Sequence, residues 1–292
     1  MFSVIYLSET KEQTVMRTVV DNKILSETRW VAALVIPFLV VAFIILFFFP
    51  GQTERLFAWK IQPSMSAMML AAAYAGGIVF FAGVLRLKQW HRIKVGFLPV
   101  LSFASLLGIA TILHWDKFNA GHISFFAWAG LYFTTPFIVL TVWLRNRNQD
   151  TGKSEDHDII IPSTVRLIIG FMGAVTLVIS LFLFIQPGIM LELWPWTLTP
   201  LTARVVGAMF SLPGLVGLGI ALDKRWSAAK LILQSQTFSI LFILIAAIRS
   251  WSDFDPENFG SWLFIGGLGL MLVSFIVLLV VMEKQINNLK AT

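Results

Sequence analysis

Eight apolar stretches run through this chain, at 30 to 49, 66 to 85, 95 to 114, 122 to 144, 165 to 186, 202 to 222, 228 to 248 and 260 to 282. Each is close to the length of about 20 residues that carries a helix across a hydrocarbon core. No water is available there to satisfy a backbone N–H or C=O, so each stretch is expected to close its own hydrogen bonds as an α-helix. The composition agrees: 57% of residues are hydrophobic and 13% are charged, against about 25% charged in a globular domain. The expected fold class is an all-α membrane protein with eight transmembrane helices. Residues 1 to 28 are polar and mixed in charge, without the basic start, short apolar core and small-residue cleavage site of a signal peptide, so the first helix is expected to stay in the mature chain.

Lysine and arginine at helix ends resist translocation, so their distribution sets orientation. Seventeen fall on one side, in the N-terminal segment, the second, fourth and sixth loops and the tail; five (Arg55, Lys60, Lys117, Arg204 and Arg249) fall on the other. Both termini are therefore expected in the cytoplasm. The net charge of +6 divides into +7 on the cytoplasmic face and −1 on the outer one. The basic residues are dispersed as helix-end anchors and form no compact stripe, which removes nucleic acid as a partner and leaves membrane lipids with anionic headgroups.

The sequence repeats itself. LFAWKIQPSMSA at 56 to 67 lies beside LWPWTLTPLTAR at 193 to 204 at an offset of 137, matching Leu56 with Leu193, Trp59 with Trp196 and Pro63 with Pro200. Arg29 pairs with Arg166, and Pro50-Gly51 with Pro187-Gly188, at the same offset. After one deleted residue the offset becomes 136, matching Trp90 with Trp226, Trp115 with Trp251, Phe118 with Phe254 and Gly130 with Gly266. The expected organisation is a cytoplasmic segment (1 to 28), a first four-helix repeat (29 to 144), a linker (145 to 164), a second four-helix repeat (165 to 283) and a cytoplasmic tail (284 to 292). Four helices return the chain to the side where it started, so the repeats are expected to be parallel, with a pseudo-two-fold axis along the membrane normal and a possible cavity between them. Gly76-Gly77, Gly83, Gly214, Gly217, Gly219 and Gly266-Gly267 are expected to let backbones approach closely.

Both copies of the repeated motif lie between an outgoing and a returning helix, hence on the outer face. Each begins at Pro-Gly, where a helix cannot continue, and ends at a proline just before the next helix. The first copy has room for a short interfacial or re-entrant helix; the second, with Pro195 inside it, reads as a turn. Their tryptophans suit headgroup depth, either as lids anchored by aromatic belts or as jaws around an amphipathic ligand. Outer polar groups accompany them, including Glu192 and Arg249 and, from HWDKFNAGH at 114 to 122, His114 and Asp116. The candidate ligand-binding set is Arg204, Arg249, Glu192, Trp194, Trp196, Trp59, His114 and Asp116. Arg204 stands where the first repeat has Ala67, and Arg249 where it has Leu113. A charge at the membrane boundary is costly unless paired, so Arg204 is expected to face inward and meet an outer-loop carboxylate or an anionic headgroup. His114 and His122 read as hydrogen-bonding belt residues, with His91 and His157 on the opposite face. Four histidines and no cysteine are a poor donor set for a structural metal. No catalytic residue, metal or cofactor is assigned.

Neither a phosphate loop, a dinucleotide fingerprint, HExxH nor a nucleophile elbow is present, and no acid or lysine stands at mid-helix as an ion-coupled transporter normally requires. Gln234, Ser235, Gln236, Thr134 and Thr135 are the most polar candidates inside helices, with interhelical hydrogen bonding as their expected role. The motifs LFAWKIQP, LWPWTLTPLTARVVGA and HWDKF resemble those of a family of uncharacterised multi-pass bacterial membrane proteins with tandem four-helix repeats, which implies a bacterial inner-membrane location. More remotely, the Pro-Gly exit with ARVVGAMFSLPGLVGLGIAL is similar to DoxX-like four-helix membrane modules, some of which accompany quinone-linked oxidoreductases. The functional expectation is a binding or accessory component, its outer site serving a lipid-like ligand, another amphipathic small molecule or a membrane protein partner. A transporter with its path between the repeats and a membrane enzyme acting on a lipid or quinone are the alternatives.

Overall fold

The computed structural model describes residues 22–156 and 158–291; His157, Lys11, Arg17 and most of the expected N-terminal segment lie outside the described residues. Among the described residues there are eight long helices: α1 (Ser26–Phe48), α3 (Ser64–Arg86), α4 (Phe97–Leu113), α5 (Ile123–Asn146), α6 (Ser163–Ile185), α8 (Pro200–Leu222), α9 (Trp226–Arg249) and α10 (Phe259–Ala291). All eight are long and apolar enough to cross a membrane. Two short helices, α2 (Thr53–Leu56) and α7 (Pro187–Leu193), belong to the loops that carry the repeated motif. These loops define a cap end, and the 145 to 164 segment defines the opposite, linker end.

The closest packing is between α3 and its neighbours α1 and α9, and between α8 and its neighbours α6 and α4; α5 lies on α4 and α10 on α9. The molecule thus contains two groups, α1-α3-α9-α10 and α6-α8-α4-α5, and each draws two helices from each half of the chain. The second and third helices of each half form the interior: the apolar windows of α3, α4, α8 and α9 are 44–67% buried, and those of α1, α5, α6 and α10 only 0–33%. The outward faces of the latter four carry Trp30, Phe137, Phe171 and Leu270, more than two-thirds exposed, as a lipid environment allows.

Contacts recur at the offset read from the sequence. Ile24 N–H donates to Lys88 O (3.1 Å) and Ile161 N–H to Lys224 O (2.9 Å); Trp90 N–H donates to Asn22 O (2.9 Å) and Trp226 N–H to Ile159 O (3.0 Å). The Arg29 guanidinium donates to Leu85 O and Leu87 O at 2.5 Å each, and Arg166 to Ala221 O at 3.1 Å. These arginines fasten the first helix of each half to the end of the second, using carbonyls that the helix terminus leaves free.

Close approach is concentrated where glycines face another backbone. A Cβ on Gly217 would stand 2.7 Å from Ile169 O and 2.8 Å from Gly173 Cα, and one on Gly173 would stand 2.8 Å from Gly214 O. These positions bring α6 and α8 together, and Ser180 Oγ seals the contact by donating to Gly207 O at 2.6 Å. Between α3 and α9, Gly76 makes room for Ser235, whose Oγ donates to Gly76 O at 2.8 Å. Gly266 and Gly267 behave otherwise: a Cβ on either would meet nothing within 4 Å, because that face of α10 has no protein neighbour among the described residues. The expectation of a backbone contact there is corrected.

One local expectation also changes. The second cap loop holds the longer helix, seven residues in α7 against four in α2, because Pro195 falls after the helix has ended while Pro187 starts it. The expected tail from residue 284 continues α10, anchored by Glu283, which accepts from Trp226 Nε1 at 2.8 Å and Lys230 Nζ at 2.6 Å.

Candidate functional site at the cap face

After its short helix each cap loop runs extended, and it pairs with the loop that follows the third helix of the same half. Trp59 bridges Phe118 and Trp196 bridges Phe254, both antiparallel, with Asn119 N–H donating to Ala58 O (2.9 Å) and Asp255 N–H to Pro195 O (3.1 Å). The pairing drives the indoles inward. Phe57, Trp59, Phe118 and Trp128 form one four-ring cluster, with Trp59 4.7 Å from Trp128 and 5.0 Å from Phe118. Trp194, Trp196, Phe254 and Phe264 form its counterpart, with Trp196 5.1 Å from Phe254 and 5.2 Å from Phe264. Edge-to-face pairs of this kind add about 0.5–1.5 kcal/mol each to burial. Trp59, Trp194 and Trp196 are 3%, 7% and 3% exposed, so their rings close on one another as the cores of two lids and do not form open jaws.

The polar candidates separate. Glu192 is exposed on the last turn of α7, and exposed Asp116 pairs with its neighbour Lys117 at 2.9 Å. Arg249 donates Nη1 to Phe47 O at 2.7 Å and lies 5.0 Å over the Phe47 ring. Arg204 and His114 do come together, Arg204 Nη1 lying 2.7 Å from His114 Nε2. Burial, followed by the Arg204 charge, lowers the His114 pKa, so the neutral imidazole accepts the guanidinium proton in a hydrogen bond. The expected carboxylate partner of Arg204 is replaced by this histidine, because α8 packs on α4 and brings the end of α4 to it. His122 caps α5, its Nδ1 accepting from Ser124 N–H at 3.3 Å. Within the helices, Ser235 makes the expected interhelical bond, whereas Thr134 Oγ1 bonds to Gly130 O of its own helix at 2.7 Å.

Between the lids lies a groove of about 470 Å³, lined by Thr53, Glu54, Lys60, Gln62 and Ser64 from the first half and Thr197, Thr199 and Asp253 from the second. A second, shallower depression of about 450 Å³ adjoins it at Gly51, Gln52, Glu54 and Arg55. Lys60 and Glu54 face each other at 2.8 Å, both more than half exposed. Asp253 Oδ2 accepts from Met65 N–H at 2.8 Å, so a carboxylate of the second half meets the positive N-terminal end of α3. Trp196 Nε1 donates to Ser66 Oγ in the same turn at 2.9 Å, whereas Trp59 Nε1, Trp194 Nε1 and Arg204 Nε are buried without a hydrogen-bond partner among the described residues. Hydroxyls, an amide and both signs of charge can orient a polar group here. Among the described residues no three His, Asp or Glu side chains converge as a metal ion would require.

Sequence reasoning missed a second cluster, at the linker end. Arg225 gives Nη1 and Nη2 to Asp150 (2.9 and 2.6 Å) and Nε to Asp223 (2.9 Å), and Lys94 bridges the same two acids at 2.7 and 2.9 Å. Burial works to raise the Asp223 pKa, but the bonds from Arg225 and Lys94 outweigh it and hold it at about 2; Asp150 is held well below the usual carboxylate range in the same way. His91 is fully buried: Nδ1 accepts from Asn22 Nδ2 at 2.6 Å, and Nε2 lies 2.9 Å from Glu155 Oε1 and 3.0 Å from Ser227 Oγ. Glu155 also binds Arg92, and Asp158 accepts from Ser227 Oγ at 2.6 Å. The signal was present, since linker acids at 150, 155 and 158 stand between two basic loops, but it read only as charge balance. No protein-family model, curated protein or solved structure matches this chain.

Proposed function

We propose that this protein is a binding or accessory component of the bacterial inner membrane whose cap face is the outer, working face and receives the polar part of a lipid-like ligand or of a membrane partner. The groove between the lids carries this reading. It is open, carries charged, amide and hydroxyl side chains, and is lined from both halves of the chain, whereas the opposite end is tied shut by the ion pairs of the linker. The recurring backbone bonds and ring clusters support a tandem duplication in which two parallel copies meet at that groove. The 17 to 5 division of basic residues supports cytoplasmic termini.

Native mass spectrometry of the full chain in lipid nanodiscs tests the binding reading. A lipid, small amphiphile or protein is expected to be retained and to be lost in the double variant Lys60→Gln, Thr197→Val. No retained species, or one indifferent to both substitutions, removes the reading. Orientation is tested separately with Lys117→Cys and Lys153→Cys, since the chain has no cysteine of its own. In intact cells an impermeant thiol reagent is expected to label position 117 and spare position 153; the reverse pattern overturns the assignment of the faces.

A further inference from the structure

The two arginines at the cap end pose one electrostatic problem and meet it differently. Neither is ion-paired with a carboxylate among the described residues. Arg249 is compensated by a carbonyl oxygen and by the face of Phe47, a donor-rich cation over an electron-rich ring. Arg204 has a neutral imidazole, and its Nε is buried with no acceptor among the described residues. It sits just past the first turn of α8, where the helix dipole adds positive potential. Of the cap-end acids, Asp116 is engaged with Lys117 and Asp253 with Met65 N–H, while Glu192 stands exposed on α7.

The corresponding junction in the other half shows what is missing. There α3 carries Ala67 at the place of Arg204, and Asp253 brings a carboxylate to the helix end. At the α8 junction the residue matching Asp253 is Lys117, so the chain supplies cations where its counterpart supplies an anion. A guanidinium at a membrane boundary without a countercharge is expensive, and its planar fork matches the two oxygens of a carboxylate or phosphate.

We propose that Arg204, oriented by His114, binds the oxyanion of an anionic ligand, a phosphate or carboxylate group carried at headgroup depth. The proposal rests on the reading of the cap face as a ligand-binding face and names the chemistry of one subsite within it. His114 is a positioning residue: by taking one N–H of the fork it fixes which edge of the guanidinium remains for the ligand. Lysine at position 204 keeps the charge and loses the fork, so it separates recognition from charge alone.

Thermal unfolding of the purified full chain in a neutral detergent, titrated with dioleoyl phosphatidylglycerol, oleate, inorganic phosphate or uncharged oleyl alcohol, tests this. At least one oxyanion is expected to raise the midpoint saturably while oleyl alcohol does not. Saturation by phosphatidylglycerol, oleate or inorganic phosphate identifies a lipid phosphodiester, a fatty-acid carboxylate or a free anion as the source. Arg204→Gln is expected to raise the half-saturating concentration about tenfold or more, as loss of a charge-assisted bond implies, with Arg204→Lys and His114→Gln giving smaller increases. Arg145→Gln, an exposed charge at the other end, is expected to respond as wild type. Should Arg204→Gln not fold, Arg204→Lys and His114→Gln give the same reading. If no oxyanion exceeds oleyl alcohol, or if these variants titrate as wild type does, the site does not exist. A nanodisc adduct that depends on Lys60 and Thr197 but not on Arg204 removes this subsite and leaves the groove; an oxyanion response that depends on Arg204 without any adduct does the reverse.

Discussion

Trp196 and Trp59 occupy matching places, but only one has its indole N–H satisfied. Trp196 Nε1 donates to Ser66 Oγ at 2.9 Å. The residue matching Ser66 in the other half is Ala203, fully buried, and Trp59 Nε1 has no partner among the described residues. Trp196→Phe is therefore expected to cost about 1 kcal/mol more than Trp59→Phe, the net worth of one hydrogen bond. Ala203→Ser is expected to stabilise by a similar amount in the presence of Trp59 and by nothing in the Trp59→Phe background. Thermal unfolding of the four proteins in a double-mutant cycle measures this, and an equal effect of Ala203→Ser in both backgrounds refutes it. The recurring offset was legible because tryptophan and proline are rare and keep their spacing. Partners were not: Arg204 lies near Glu192 in sequence but bonds to a histidine 90 residues away. Sequence proximity carries no information about which helix ends share a corner of a bundle.

Helices were the most legible elements, because the length and hydropathy of a membrane span are local properties. Their pairing was hidden for a physical reason: windows such as Phe97–Leu113 are apolar all round, so no stripe marks the side that meets protein and the side that meets lipid. Glycines look alike in sequence on either side, and substitution tells them apart. Gly217→Val is expected to overpack the α6–α8 contact and destabilise by about 1–3 kcal/mol, since its Cβ would meet Ile169 O at 2.7 Å and Gly173 Cα at 2.8 Å. Gly266→Val, with open space around it, is expected to leave stability unchanged or raised slightly through helix propensity. Detergent-resistance and thermal midpoints of the two variants compare them directly; equal losses would mean that α10 is covered after all.

At the scale of the whole molecule, the linker fastens both halves at one end, and its chemistry makes that fastening sensitive to acid. Burial lowers the His91 pKa, with the Glu155 charge acting in the opposite direction, so the folded protein favours the neutral ring that Asn22 holds. The unfolded chain protonates near pH 6.5, and the stability from this group is complete above that value and declines as pH falls below it. Asp223, held at about 2, adds a second loss that begins near the ordinary aspartate value of about 3.9. Thermal midpoints of the full chain are thus expected to fall from pH 7 to pH 5 and again below pH 4, and His91→Gln is expected to flatten the first step alone. A midpoint independent of pH over this range would show that the linker contributes no stability. The pairing of α3 with α9 and of α8 with α4 has a consequence in time as well as in space. A ribosome delivers α3 long before α9, and α4 long before α8, so the earlier helices enter the bilayer with their closest faces still covered by lipid or by a provisional neighbour. No half of this chain can be finished first, and assembly reaches its final form only when the late helices displace whatever held those faces in the interval.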